Sequence, residues 1–319
     1  MAHVNHLKGQ NVNLLLDLAG GNNLAVIAAS TSCEFQVQAQ SEETNAKDDP
    51  GNGEWAAPSF TYYDWTAGNE SYVIDIAHLA TLLDKVINGD ATVKVQFQTP
   101  GQLQNRCCWK GTAIITSLEI TGAVDEKATV KLSFDGASVL ERGTFVDILP
   151  AAEIQEKISG KALMVALERA SNQWDTIMCS SSHTLSVSVE TEDVRDKDMN
   201  DLAVHKAVKT RSVTVSSESF TPIDTGAPTT SLDRLMSLTM TGTVFRLAFG
   251  YYPGSIGHAI EEDPSRQGSW GSPETILLEG NFRCTSLNPA TGENLEDSKM
   301  SAEFSSIGKP TVVPPNAGE

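Results

Sequence analysis

Basic residues are scarce in this chain. Its 23 Lys and Arg stand against 41 Asp and Glu, for a formal net charge of −18. A protein that grips phosphates needs a basic face, so this balance argues against a nucleic-acid binder of that kind. The deficit is shared evenly. Residues 1–150 hold 9 basic and 18 acidic residues and residues 151–319 hold 14 and 23, which is −9 in each half. The acidity therefore belongs to both halves and not to a tail. It serves solubility, and it also suits a surface that must repel DNA passing close by. Cysteine is sparse too: Cys33, Cys107, Cys108, Cys179 and Cys284 make an odd count without a disulfide-like spacing, which points to free thiols in a reducing compartment. An adjacent Cys107–Cys108 pair is a weak sign of redox chemistry. No uninterrupted apolar run reaches 18 residues, so a membrane span is not expected. The opening MAHVNHLKGQ has no apolar core of a signal peptide, and export by that route is not expected either.

Catalytic signatures are missing as well. The six histidines show no HExxH spacing, and there is no CxxC, GxSxG or GxxxxGK[ST]. DKDMND (196–201) begins like a calcium loop, with Asp196, Asp198 and Asn200 as alternate ligands. It fails where the loop is diagnostic, because Asp201 stands at the glycine position and Ala207 at the glutamate position. Asn69-Glu70-Ser71 is a formal glycosylation sequon without a secretory signal beside it. Trp55, Tyr62, Tyr63 and Trp65 could stack on sugars or bases, but aromatics grouped this way usually pack a core or an interface. No catalytic residue, cofactor site or metal site is expected, and the chain does not read as an enzyme.

What is present is a long repeat. IAASTSCEFQVQAQSEETNAKDD (27–49) is written again as IMCSSSHTLSVSVETEDVRDKDM (177–199), with a constant offset of 150 residues. KGTAIITSLEI (110–120) recurs as EGNFRCTSLNP (279–289), and ATVKLSF (128–134) as SKMSAEF (298–304), where the offset has grown to 170. A period this long is a duplicated domain and not a solenoid repeat. The expected division is 1–150 for the first copy and 151–319 for the second. The Gly-, Pro- and Ser-rich stretch at about 251–274 reads as a surface insertion in the second copy.

Within each copy strands dominate. CEFQVQAQ (33–40) alternates strictly, with Cys33, Phe35, Val37 and Ala39 on one face and polar residues on the other. Leu185, Val187 and Val189 keep that phase in the second copy. Val130, Leu132 and Phe134, and again Met300, Ala302 and Phe304, mark two further half-buried strands. Segments 59–65, 94–97, 212–217 and 245–249 complete a strand-rich set. One helix per copy is expected, over 77–90 and 230–242, each closed by a glycine. Polar segments 41–58 and 191–210 follow the alternating strand in both copies and read as long functional loops. After Gly308 the tail should be extended or mobile.

The stretch 110–141, with its ITSL strand, Gly-containing turn and F-x-G motif at Phe134 and Gly136, resembles the C-terminal hairpin of phage major tail tube proteins. KGQNVNLLLD and the strand from TSCEFQVQ resemble the same family. That family is related to the inner tubes of contractile injection systems. The resemblance implies a mainly β fold, a β-sandwich closed by a helix, with four strands per domain entering a barrel around a lumen. Rings of this family carry six such domains, so two-domain chains would form pseudo-hexameric trimers that stack into a conduit for DNA ejection. The polar residues Gln36, Gln38, Gln40, Ser186, Ser188 and Glu190 are then the lumen candidates. Candidates for contacts between stacked rings are Glu42, Glu43, Lys47, Asp48 and Trp55 in the first long loop. Their counterparts in the second are Glu192, Arg195, Lys197, Asp198 and Lys206. Expected partners are other copies of the chain, a tape measure protein, a tail terminator and distal tail proteins. The expected location is the virion tail, after assembly in the host cytoplasm, with no membrane contact. Two alternatives carry the same strand pattern: an inner tube of a contractile or type VI apparatus, and a carbohydrate-binding β-sandwich.

Overall fold

A computed structural model describes residues 13–18, 24–27, 29–43, 58–99, 107–146, 157–171, 173–177, 180–194, 203–220, 232–251, 276–290 and 298–313. Its first half runs β1 (Asn13–Asp17), β2 (Ala25–Val26), β3 (Ser30–Glu43), β4 (Pro58–Tyr72), α1 (Ile76–Ile87), β5 (Thr92–Gln98), β6 (Cys108–Ala123), β7 (Thr129–Gly136) and β8 (Glu141–Arg142). A 3-10 turn over Gly160–Ala162 leads into β9 (Leu163–Ala170), β10 (Gln173–Thr176), β11 (Ser180–Val194), β12 (His205–Phe220), α2 (Leu232–Thr241), β13 (Phe245–Tyr251), β14 (Ile276–Ala290), β15 (Lys299–Ser306) and β16 (Thr311–Val312). The protein is mainly β, and all 16 strands belong to one hydrogen-bonded sheet.

The pairing scheme is written twice. In the first half β3 pairs β4, β4 pairs β7, β7 pairs β6, β6 pairs β5, β5 pairs β1 and β1 pairs β2. In the second half β11, β12, β15, β14, β13, β9 and β10 follow in the same order. β8 on β6 is matched by β16 on β14. Even the irregularities recur: the β6–β7 register slips between Ile115 and Ser117, and the β14–β15 register between Cys284 and Ser286. Bulges at fixed places bend a strand and re-aim its end. Here the bend lets β6 serve two neighbours along one edge, β5 with residues 108–114 and β11 with residues 117–123.

The alternation becomes one wet and one buried face in β7, β11 and β15, whereas on the apolar face of β3 Val37 and Ala39 are exposed, because no second strand among the described residues covers its outer edge. Val130, Leu132 and Phe134 of β7 are buried, as are Met300, Ala302 and Phe304 of β15. Both expected helices form. In α1 the stripe Leu79, Leu82, Leu83 and Val86 is buried, and the Asp75 carboxylate caps the start by accepting from the Ala77 N–H at 2.9 Å. The two closing glycines act differently. Gly242 sits in the left-handed region at φ 62°, whereas at Gly89 a Cβ would lie 2.7 Å from the Lys85 carbonyl oxygen. Buried apolar side chains of both halves merge into one cluster. The tail is extended in part, since Thr311–Val312 pairs with Glu279 and Leu278 of β14. The 251–274 insertion lies outside the described residues apart from Tyr251.

Candidate assembly interface

The two halves are joined edge to edge. β11 pairs with the far end of β6, from Ser182 opposite Ala123 to Ser188 opposite Ser117, all antiparallel. This makes a continuous run β3-β4-β7-β6-β11-β12-β15-β14. Its two ends are the outer edge of β3 and the edge of β14 beyond Phe282, and neither has a strand partner among the described residues. Unpaired edges of this length are templates for another strand.

Side chains lock the joint. The Lys206 ammonium of β12 lies 3.1 Å from an Asp64 oxygen on β4 and 3.2 Å from an Asp135 oxygen on β7. Its side chain is 10 % exposed. Burial alone would lower the Lys206 pKa, but the two carboxylates outweigh it and hold the ammonium above its usual range. Thr191 also donates to Asp135, at 3.2 Å. At the tip of the β11–β12 hairpin, the Val204 N–H donates to the Tyr63 carbonyl. Arg211 of β12 reaches across to the end of α1, donating to the carbonyls of Val86 and Gly89 at 2.9 Å each. The Val86 carbonyl is one that a helix leaves without an internal partner, and a guanidinium suits that negative end. α1 itself lies against β11 and β16 of the second half.

The phage tail tube protein family matches residues 6–142. No curated protein matches. Among solved structures, the chain is similar to the tail of an empty gene transfer agent particle at 20 % identity and a TM-score of 0.35, covering 49 % of this chain and 98 % of that one. It is similar to a native gene transfer agent virion at 17 % identity, the same TM-score and the same coverage. The SPP1 tail tube is 17 % identical at a TM-score of 0.35, covering 44 % of this chain and 81 % of that one.

Within the matched residues the F-x-G motif has a steric basis. Phe134 fills the core, and a Cβ on Gly136 would lie 2.3 Å from Nε1 of Trp65. The Trp65 indole lies flat over that glycine and donates to the Ser138 carbonyl at 2.8 Å. Trp65 is 2 % exposed, so the aromatic group does not present it as a sugar platform. Tyr62 and Tyr63 are half-buried, and Trp55 lies outside the described residues.

Other expected residues fall as follows. Gln36, Gln38, Ser188 and Glu190 are exposed, Gln40 and Ser186 half-buried, all on the face opposite the apolar residues of β3 and β11. Glu42 and Glu43 end β3, and Glu192 is exposed near the end of β11. Lys47, Asp48, Arg195, Lys197 and Asp198 lie outside the described residues, as does the calcium-like stretch 196–201. Lys206 sits on a strand inside the joint, because β12 starts at His205 and the expected loop 191–210 is mostly hairpin. Asn69 of the sequon is 4 % exposed and donates to Ser30 and Ser32. Cys33, Cys107, Cys108 and Cys284 form no disulfide, and burial pushes the Cys108 and Cys284 thiols up. No group of three or more His, Cys, Asp or Glu among the described residues could hold a metal ion. No described helix is long and apolar enough to cross a membrane.

Proposed function

We propose that this chain is the structural, non-catalytic subunit of a phage tail tube, built from tandem copies of one domain over 1–150 and 151–319. Three chains close a pseudo-hexameric ring, and rings stack into a conduit through which DNA leaves the virion. The observation that carries this reading is the joint. One chain already adds β11 to β6, while the equivalent strands β3 and β14 keep open edges that fit one another in the same way. Transferring the register from the filled joint pairs Gln36 with Asn288, Val37 with Leu287 and Gln38 with Ser286 of the next chain. Rings of six tail tube domains set the number of chains at three.

In such a ring Gln36, Gln38, Gln40, Ser186, Ser188 and Glu190 line the lumen. They are polar and carry no positive charge, so DNA slides past without being held. The polar segments 41–58 and 191–210, which follow the lumen strands in both copies, supply the contacts to the next ring. The first is acidic and the second mixed in charge, which lets neighbouring rings choose one register. At its ends the tube meets a tape measure protein, a tail terminator and distal tail proteins, after assembly in the host cytoplasm.

Electron cryomicroscopy of the purified chain or of the virion tests this. Hollow tubes with three chains per ring are expected, with Gln36 and Ser186 facing the lumen. Six chains per ring, or Phe35 and Val37 facing the lumen, would overturn the arrangement. Deleting 44–53 should leave folded rings that fail to elongate; tubes of normal length would remove the stacking role.

A further inference from the structure

We propose that the first half of this chain carries a binding site for a flat aromatic group with a carboxylate beside it, as an aromatic residue next to an acidic group on another protein would present. The site is read from the repeat and stands whether or not the chain forms tubes.

The second half shows the arrangement completed by its own residues. On the face of β9, β13 and β14 turned away from the main core, the Arg246 guanidinium donates to Glu168 at 2.8 Å and to Glu279 at 3.0 Å. It also lies 5.4 Å from the ring centroid of Trp174, which is 5 % exposed. An aromatic face attracts a cation, and more strongly away from water. The cation is thus held by one ring and two carboxylates.

The repeated registers put Lys94 at the place of Arg246, Asp17 at that of Glu168, Lys110 at that of Glu279 and Leu24 at that of Trp174. One carboxylate is kept. The other is exchanged for a second cation, and the indole for the smaller side chain of Leu24. Leu24, Lys94 and Lys110 together line a cavity of about 600 Å³. Ligand pockets commonly span about 300–1,000 Å³. The floor is built: Gln96 is 1 % exposed and donates to Gln98 at 3.0 Å and to the Thr144 carbonyl at 2.9 Å. Val139 and Phe145 add apolar wall. Lys110 has Glu141 at 4.0 Å, but that carboxylate is 70 % exposed and such a contact is weak.

The guest supplies what the first half lacks. Its ring lies over Lys94 as Trp174 lies over Arg246. Its carboxylate sits between Lys94 and Lys110, which are diagonal neighbours on β5 and β6 and within reach of one anion. The direction in which the cavity opens favours a protein guest over a nucleotide. Phe35 of β3 stacks on Phe97 of β5 with ring centroids 4.8 Å apart. Phe97 therefore points toward β3, and Lys94 and Gln96 of the same strand point away from it. If Gln36 and Gln38 face a lumen, the cavity opens on the outside of the tube, away from DNA.

The test is calorimetric titration of the full chain with N-acetyltryptophan, with its amide, which lacks the carboxylate, and with N-acetylalanine, which lacks the ring. The first should bind with a Kd of about 0.1–1 mM. The other two should bind at least roughly tenfold more weakly. L24W and K110E each install the residue that the second half already uses, so both should melt as wild type does. Each should weaken N-acetyltryptophan at least roughly tenfold. K161E makes the same charge change on an exposed lysine outside the cavity and should bind as wild type does. The blocked dipeptide tryptophanyl-glutamate amide separates two sources of the carboxylate. Tighter binding than N-acetyltryptophan points to an acidic side chain, and weaker binding to a chain terminus. No binding of N-acetyltryptophan, equal binding of acid and amide, full binding by K110E, or an equal loss in K161E would each overturn the proposal. The tube reading is tested separately by microscopy, and its failure would leave these titrations unchanged.

Discussion

Val187 is fully buried and Val37, which holds the same place in the pairing scheme, is 51 % exposed. The side chains are identical, the strands alternate in the same phase, and each strand pairs with its hairpin partner in matching register. What differs is what lies beside them. β11 has β6 on its other edge and α1 against it, and β3 has neither. Burial at this position is thus a property of the joint and not of the strand.

Among the described residues, Lys206 should be the costliest ion pair to break. Its side chain is 10 % exposed, and its loss leaves Asp64 and Asp135 without the cation between them. Asp64 and Asp135 remain partly in water, which moderates the penalty. Lys206→Met is expected to lower unfolding stability by about 1–3 kcal/mol. The Lys85–Asp90 pair, with Asp90 66 % exposed, is the control, and Lys85→Met should cost less than about 1 kcal/mol. Urea unfolding of both variants checks the order; equal losses would mean that the joint gains nothing from its charges.

Arg211 gives a second handle on the same joint. It satisfies two carbonyls at the end of α1 from the opposite half. Arg211→Ala should cost about 1–2 kcal/mol and open the last turn of α1 to hydrogen exchange. Arg211→Lys should restore little, because an ammonium cannot span both oxygens as the planar fork does. Unchanged exchange in the last turn of α1 would rule out this role.

Much of this architecture was legible in the sequence, and what was not has a common cause. Period-2 runs at 33–40, 129–134 and 299–304 and the stripes of both helices are local signals, and they located their elements. Partner choice across edges is not local. Nothing near Lys206 announces Asp64 and Asp135, which lie 142 and 71 residues away. The same polar residues therefore read as a loop when they are the end of a hairpin whose outer side chains bond to the other half. The F-x-G motif was visible as a pattern, while its cause, the Trp65 ring, sits on another strand.

His183 should make the chain acid-sensitive. It is 3 % exposed on β11, between Gly122 of β6 and Ser217 of β12, and neither ring nitrogen has a hydrogen-bond partner. Burial lowers its pKa from 6.5 to about 4. Between those values the unfolded chain binds a proton that the folded chain refuses, so stability is full above about pH 6.5 and falls on acidification until about pH 4. The loss is about 3 kcal/mol. His183→Cys, the residue that the first half carries at Cys33, should flatten that part of the stability–pH curve relative to wild type. Parallel curves would mean that His183 does not titrate this way.

Trp65 and Gly136 should behave as one unit. Their counterparts in the second half are Val213 and Ser306, so a large ring over a bare backbone is exchanged for a small side chain beside a larger one. The missing volume is returned across the sheet, since fully buried Phe282 stands where the first half has Ala113. Gly136→Ser alone must push the indole away and break its bond to the Ser138 carbonyl, at a cost of about 2–3 kcal/mol. Trp65→Val alone leaves a cavity and should cost about 3–5 kcal/mol. The pair together should cost clearly less than the two losses added, because the serine enters space the ring has vacated. Chemical denaturation of the four proteins closes the cycle. Strict additivity would mean that the indole does not set the requirement for glycine, and that the motif has some other cause.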